Sequence, residues 1–189
     1  MIAARAAALA YGLTFVGWFL LEVRQSTRRR QGARRDDRGS LLVLRVTTVG
    51  GFVLAFAAAA LLPGADVPRR VAYAVSLVLL WCGIALRWWS FRTLGAYFTF
   101  SVQTSDDQAV VDTGPYRWVR HPAYLGMLLA IAGIGAMTGS PLGVLVLVGT
   151  VLVGVVYRVR VEEQALLDVI GDPYRRYAAG RARLVPGVW

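Results

Sequence analysis

Residues 121–157 read HPAYLGMLLAIAGIGAMTGSPLGVLVLVGTVLVGVVY, with no Asp, Glu, Lys or Arg among them. A helix crossing the roughly 30 Å hydrocarbon core of a bilayer needs about 20 apolar residues. This stretch is too long for one crossing, and Gly139 and Ser140 interrupt it. Pro141 then suits the first position of a new helix, because its missing N–H would be unpaired there anyway. The stretch reads as a helical hairpin inside a membrane, Pro122–Thr138 followed by Pro141–Tyr157.

Working outward, three more blocks have the same character: Ile2–Val23, Leu41–Leu62 and Val71–Trp89. Arg45 lies near the start of the second and can snorkel to the interface. Arg87, Trp88 and Trp89 close the third, as in an interfacial aromatic belt. The 189 residues are enough for one domain, and 57% of them are hydrophobic, above the share usual in soluble domains. Mean hydropathy is +0.53. The expected fold class is therefore an all-α integral membrane protein with about five transmembrane helices and a C-terminal helical tail.

All 21 basic residues are arginine, against 11 acidic ones, giving a net charge of +10. Such a charge suits nucleic acid or an anionic membrane surface, and the placement of the arginines decides for the membrane. Segment Arg24–Arg38 carries seven, the loop 63–70 two, and the tail after Tyr157 six, while the turn at Gly139–Ser140 carries none. Arginine-rich loops mark the cytoplasmic side. The N-terminus is then outside, and both the Ser90–His121 loop and the tail face the cytoplasm. Arg24–Arg38 reads as a topology signal that touches anionic head groups. Ala6–Leu21 is followed by those seven arginines and lacks a convincing small-residue cleavage site, which reads as a retained span rather than a signal peptide. One cysteine, Cys82, and one histidine, His121, exclude an intrachain disulfide and a multi-histidine metal site.

Chemistry concentrates in two places. GPYRWVRHPAYLG, residues 114–126, opens with a turn signal and runs into a helix start at Pro122. His121 then stands at the helix cap. A helix N-terminus beside Arg120 suits a carboxylate or phosphate. Tyr124, three residues on, shares a helix face with His121, and Gly126 would admit a ligand close to the backbone. Tyr116, Trp118 and Tyr124 offer flat surfaces for a purine ring or a cation. The same residues also suit plain interfacial anchoring. The second place is YRVRVEEQALL, residues 157–167. Carboxylates so near lipid tend to be partnered. Arg158 with Glu162 and Arg160 with Glu163 are at salt-bridge spacing, and neighbouring acids point in different directions, so at most one is expected to line a given pocket. The polar part of the Thr93–Thr113 loop is a candidate substrate entrance. Gly133-Ile134-Gly135 lies inside an apolar helix and follows no strand, so close helix packing explains it rather than a nucleotide loop.

The block GPYRWVRHPAYLG, the hairpin, RVEEQALL, GDPYRRY and the ending RLVPGVW together resemble the isoprenylcysteine carboxyl methyltransferase family, within a wider group of membrane methyltransferases that includes phospholipid N-methyltransferases. The likeness runs from about Leu94 to Trp189, and the ending is similar to that of bacterial members. It implies one domain over 1–189: three N-terminal spans in 1–89, then a cofactor-binding loop, hairpin and tail in 90–189. It also implies a bacterial inner-membrane enzyme that faces the cytoplasm and transfers the methyl group of S-adenosylmethionine to a lipophilic acceptor, with membrane lipids as surroundings and no nucleic-acid partner. Carried over residue by residue, it places Tyr116, Arg120, His121, Pro122, Tyr124, Gly126, Glu162, Glu163 and Tyr174 at the cofactor, with Arg120, Glu162 and Glu163 as catalytic candidates. No metal is implied. The carboxylate of an isoprenoid-type molecule is one acceptor it allows. The alternatives are N-methylation of a phospholipid and reduction by a nicotinamide cofactor.

Overall fold

A computed structural model of the chain describes residues 11–14, 16–18, 20, 23, 34, 35, 37–62, 67–95, 103, 104 and 109–189. Its helices are α1 (Ser40–Leu61), α2 (Arg69–Leu94), α3 (Pro122–Ala136), α4 (Pro141–Ile170) and α5 (Asp172–Ala179), with a 3-10 turn at Gly114–Arg117 before α3. Residues 11–14 and 16–18 are also helical. Two-residue strands β1 (Arg34–Arg35) and β2 (Gln103–Thr104) pair antiparallel, Arg34 opposite Thr104 and Arg35 opposite Gln103.

Among the described residues, α1, α2 and α4 are long and apolar enough to cross a membrane. The expected fourth crossing is shorter than its apolar block. α3 has 15 residues, about 22 Å of helix, which falls short of the roughly 30 Å core. It ends because the N–H groups of Met137, Thr138 and Gly139 turn back on Ile134, Gly135 and Ala136, and Gly139 adopts φ 73°. The expected first span, Ile2–Val23, lies largely outside the described residues, as does most of Arg24–Arg38. Two other helices outrun their apolar blocks. α2 continues past Trp89 until Gly95 (φ 55°), and α4 continues 13 residues past Tyr157 until Gly171 (φ 69°). Polarity alone does not end a helix, whereas a glycine that turns to positive φ does.

α1 packs on α4, α2 on α3, and α3 on α4. Leu147, Val151, Val155 and Val159 repeat every four residues along α4 and form the spine of the core with Ile131, Met127 and Leu44. α2 and α3 meet through small residues. A Cβ on Gly126 would stand 2.7 Å from the Gly83 carbonyl oxygen, and one on Gly133 would stand 2.6 Å from the Leu80 nitrogen. Close backbone approach at glycines is how helices associate where lipid removes the hydrophobic drive. The outer surface is apolar as well. Leu42, Val46, Val49 and Val53 form an exposed stripe on α1 at three- and four-residue spacing, the face such a helix turns to acyl chains.

The two ends of the bundle differ. At one end Val67 N–H bonds the Gly139 carbonyl (3.0 Å), joining the α1–α2 connection to the hairpin turn. At the other lie the β1–β2 pair, the 3-10 turn, the start of α3 and the tail. The segments expected to share one side of the membrane are thus at the same end.

Candidate active site

The site is assembled at the start of α3. His121 is the helix N-cap and Pro122 the first helical residue, as the sequence predicts. Pro122 has no N–H, and the Tyr124 and Leu125 N–H groups fold back onto the His121 carbonyl at 3.1 and 3.2 Å. The helix start therefore offers an anion little backbone, and the side chains of Arg120 and His121 carry that capacity.

The C-terminal tail fixes this segment from outside. Arg120 N–H bonds the Ala182 carbonyl at 2.9 Å and His121 N–H bonds the Arg183 carbonyl at 3.0 Å, next to a parallel bridge between Val119 and Ala182. The Tyr177 hydroxyl donates to the Tyr116 carbonyl at 2.9 Å, tying α5 to the 3-10 turn. The rings of Tyr174 and Tyr177 lie 5.8 Å apart.

Glu163 is the hub. Its Oε1 accepts from Arg120 Nη1 at 2.8 Å and from His121 Nε2 at 3.2 Å, and its Oε2 accepts from Arg183 Nε at 2.9 Å. A carboxylate accepts only, so the shared proton sits on His121 Nε2. One acid thereby joins α4, the segment before α3 and the tail. Arg160, the partner its spacing suggested, is exposed. Glu162 points elsewhere. Its Oε2 accepts the Tyr124 hydroxyl at 2.7 Å, and that hydroxyl accepts Arg158 Nε at 2.7 Å. Arg158 thus reaches Glu162 through a tyrosine, where the spacing predicted a simple pair. The two acids thus engage different partners, although both charges act on the Tyr174 phenol.

Aromatic walls complete the region. Tyr116 and Tyr174 are buried. Burial, then the neighbouring Glu162 charge, pushes the Tyr116 phenol well above its ordinary value. Burial, then Glu163 and Glu162, does the same to Tyr174. Both phenols are therefore neutral donors at physiological pH. Tyr124 and His121 rings lie 5.8 Å apart on one face, as their spacing predicts. Trp118, grouped with these aromatics in the sequence, turns outward instead, 54% exposed and edge-on to Trp89 at 5.7 Å. Gly126 faces α2 rather than this region. Arg87 of α2 is buried below, donating to the Ala123 carbonyl at 2.9 Å. Among the described residues no group of three or more His, Cys, Asp or Glu side chains is placed to hold a metal.

Four participants went unnamed as site residues in the sequence: Asp37, Ser40, Arg87 and Arg183. Arg183 lies in the family-like ending RLVPGVW, which was a usable signal. Asp37 and Ser40 border a basic loop and carry none.

The class is then a helical membrane protein with an arginine–histidine–glutamate centre at one end of its bundle. More particularly, the chain belongs to the phospholipid methyltransferase family, whose sequence profile matches residues 71–172. Protein-S-isoprenylcysteine O-methyltransferase of Saccharomyces cerevisiae is 32% identical over 88 residues, covering 46% of this chain and 37% of that protein. Methanethiol S-methyltransferase 1 of Bradyrhizobium diazoefficiens is 34% identical over 71 residues, covering 38% and 24%. The solved structure of a eukaryotic intramembrane Ras methyltransferase, isoprenylcysteine carboxyl methyltransferase, superposes with a TM-score of 0.60 at 25% identity, covering 76% of this chain and 52% of that one. The chain spans about half the solved protein's length, and less of the two relatives.

Proposed function

We propose that the chain is an S-adenosylmethionine-dependent methyltransferase of a bacterial inner membrane, acting on a lipophilic acceptor at the cytoplasmic face. The observation that carries this is Glu163 meeting Arg120 and His121, and Glu162 meeting Tyr124, at the start of α3, in a chain of this family. The donor set suits the cofactor. The buried Nε–H of Arg120 has no acceptor among the described residues, and the cofactor carries a carboxylate that guanidinium recognises. Two carboxylates and two buried tyrosines match its cationic and hydroxyl groups. Arg120, His121, Glu162, Glu163, Tyr116, Tyr124 and Tyr174 would hold it, with Pro122 setting the helix start. Gly126 serves through the α2–α3 contact. The whole chain then works as one domain, its arginine-rich end in the cytoplasm, with Ile2–Val23 adding a crossing to α1, α2 and α4 and the shorter α3 reaching part of the way across.

The bound sulfonium supplies an already activated methyl group. What remains for the protein is alignment and exclusion of water. The Arg120–Glu163–Arg183 bridge closes the polar side of the site with the tail. Tyr116, Tyr174 and Tyr177 seal it from the loop side. Glu162, whose Oε2 is engaged by Tyr124, has a second oxygen with which to take a proton from an amine or thiol acceptor. A carboxylate acceptor arrives without such a proton and needs only orientation. The relatives' names span carboxylate, thiol and phospholipid acceptors, so the acceptor is decided by assay. Purified protein in lipid nanodiscs is incubated with methyl-labelled S-adenosylmethionine and a prenylated thiol acid, methanethiol or phosphatidylethanolamine. Label should pass to one class and be lost with Glu162→Gln for an amine or thiol. Label passing to none of them, with no cofactor bound, refutes the reading.

A further inference from the structure

Asp37 precedes α1, belongs to no motif, and lies outside the family-matched residues 71–172. It is nevertheless 7% exposed. Its Oδ1 accepts Arg158 Nη1 at 3.0 Å and the Ser40 hydroxyl at 3.1 Å, and that hydroxyl also accepts Arg158 Nη1 at 2.9 Å. Its Oδ2 accepts Leu41 N–H at 3.2 Å, which settles the start of α1, where the N-cap Gly39 has no side chain to do so.

The other edge of the same guanidinium reaches the site. Arg158 Nε donates to the Tyr124 hydroxyl, and that hydroxyl donates to Glu162 Oε2, both at 2.7 Å. A tyrosine hydroxyl has one proton. With an N–H already aimed at its oxygen, that proton is directed to Glu162. A long arginine side chain has many rotamers, and a planar guanidinium held at two edges keeps one. We infer that Asp37 is a positioning residue for Glu162, acting through Arg158 and Tyr124, so that the segment before α1 is part of the reacting site. The inference rests on the proposed function for the role of Glu162, and on geometry alone for the linkage.

Asp37→Asn keeps the size of the side chain and an acceptor for Leu41 N–H, and removes the charge that anchors Arg158. Two readouts are taken. The first needs no ligand: the infrared C–O band of ring-labelled Tyr124, assigned by its loss in Tyr124→Phe. It should shift in Asp37→Asn and return toward its original position in Asp37→Glu. The second is affinity for S-adenosylmethionine. It should fall about 10-fold for Asp37→Asn in the natural background and stay unchanged when Tyr124→Phe is already present, as expected for residues acting in one chain. An unmoved Tyr124 band, or equal losses in both backgrounds, overturns the inference. If the unaltered protein binds no S-adenosylmethionine, the proposed function fails, and the band alone still decides whether Asp37 governs Tyr124. Should Asp37→Asn not fold, Ser40→Ala removes the hydroxyl shared by Arg158 and Asp37 and should give a smaller shift of the same band.

Discussion

Replacing Glu163 with glutamine should loosen the tail and lower stability together. The carboxylate receives Arg120 at 2.8 Å with the two side chains 13% and 8% exposed, and Arg183 at 2.9 Å with the arginine 35% exposed. A hydrogen bond to a charged group contributes about 1.5–3 kcal/mol. The Arg120 contact merits the upper part of that range. The Arg183 contact, a third open to water, merits about 1 kcal/mol after solvent screening. Glutamine keeps one acceptor oxygen but turns an amide N–H2 toward a donor. The loss sums to about 3.5–4 kcal/mol, within the 3–5 kcal/mol typical when one partner of a buried pair is removed. In a chain of this size each kcal/mol moves Tm by about 2–4 °C, so Tm in detergent should drop by roughly 10 °C. Trypsin, which cuts after arginine, should cleave the tail at Arg175, Arg176 and Arg181 faster below that temperature. A Tm within about 2 °C of the original, with unchanged cleavage, would refute the reading of Glu163 as the residue joining tail, loop and helix.

Three further outcomes follow from the geometry. Gly126→Ala places a methyl 2.7 Å from the Gly83 carbonyl oxygen and should cost about 1–3 kcal/mol by overpacking, while the folded fraction keeps cofactor affinity within about twofold; thermal scans and binding titrations separate the two effects. Arg160→Gln should change Tm by less than about 0.5 kcal/mol equivalent, since the side chain is exposed; a larger loss would mean that the Glu163 pairing is misassigned. Alkaline pH should undock the tail. Burial, partly opposed by Arg181 and Arg120, pushes the Tyr177 phenol from 10.0 up to about 12. Below pH 10 both the docked and the free phenol are protonated and the docking stability is fully present. As pH rises from 10 toward 12 the free form loses its proton and the docked form keeps it, so docking weakens. Hydrogen exchange of residues 172–189 against pH should accelerate in that window, and less so in Tyr177→Phe. The chain has no lysine to titrate alongside.

Much of the architecture was legible because membrane helices announce themselves by length without charge. The hairpin turn at Gly139–Ser140 and the helix start at Pro122 could be read from single residues. The extents could not. α3 is shorter than its apolar block because its last N–H groups fold back at Met137–Gly139. α4 runs 13 residues past its apolar part because helix propensity, not hydropathy, decides where it stops. At the site, local spacing predicted the His121–Tyr124 face correctly. It failed for Arg158 and Arg160, because partners three or four residues apart lost to partners brought from other elements: Tyr124 and Asp37 for Arg158, Arg120 and Arg183 for Glu163. Side-chain direction separates Tyr116 from Trp118 and turns Gly126 toward α2, and composition carries no record of direction. Asp37 was invisible for a further reason, since an acid inside an arginine-rich loop looks like a solvated counter-charge until the fold buries it.

The central claim is tested most directly by equilibrium binding of S-adenosylmethionine to the purified protein, with NADPH titrated in parallel and His121→Ala as the paired variant. Saturable binding of S-adenosylmethionine is expected, none of NADPH, and loss of the former in a variant that still gives the helical circular dichroism of the original. Binding of NADPH in its place, or full S-adenosylmethionine affinity in His121→Ala, would contradict that claim.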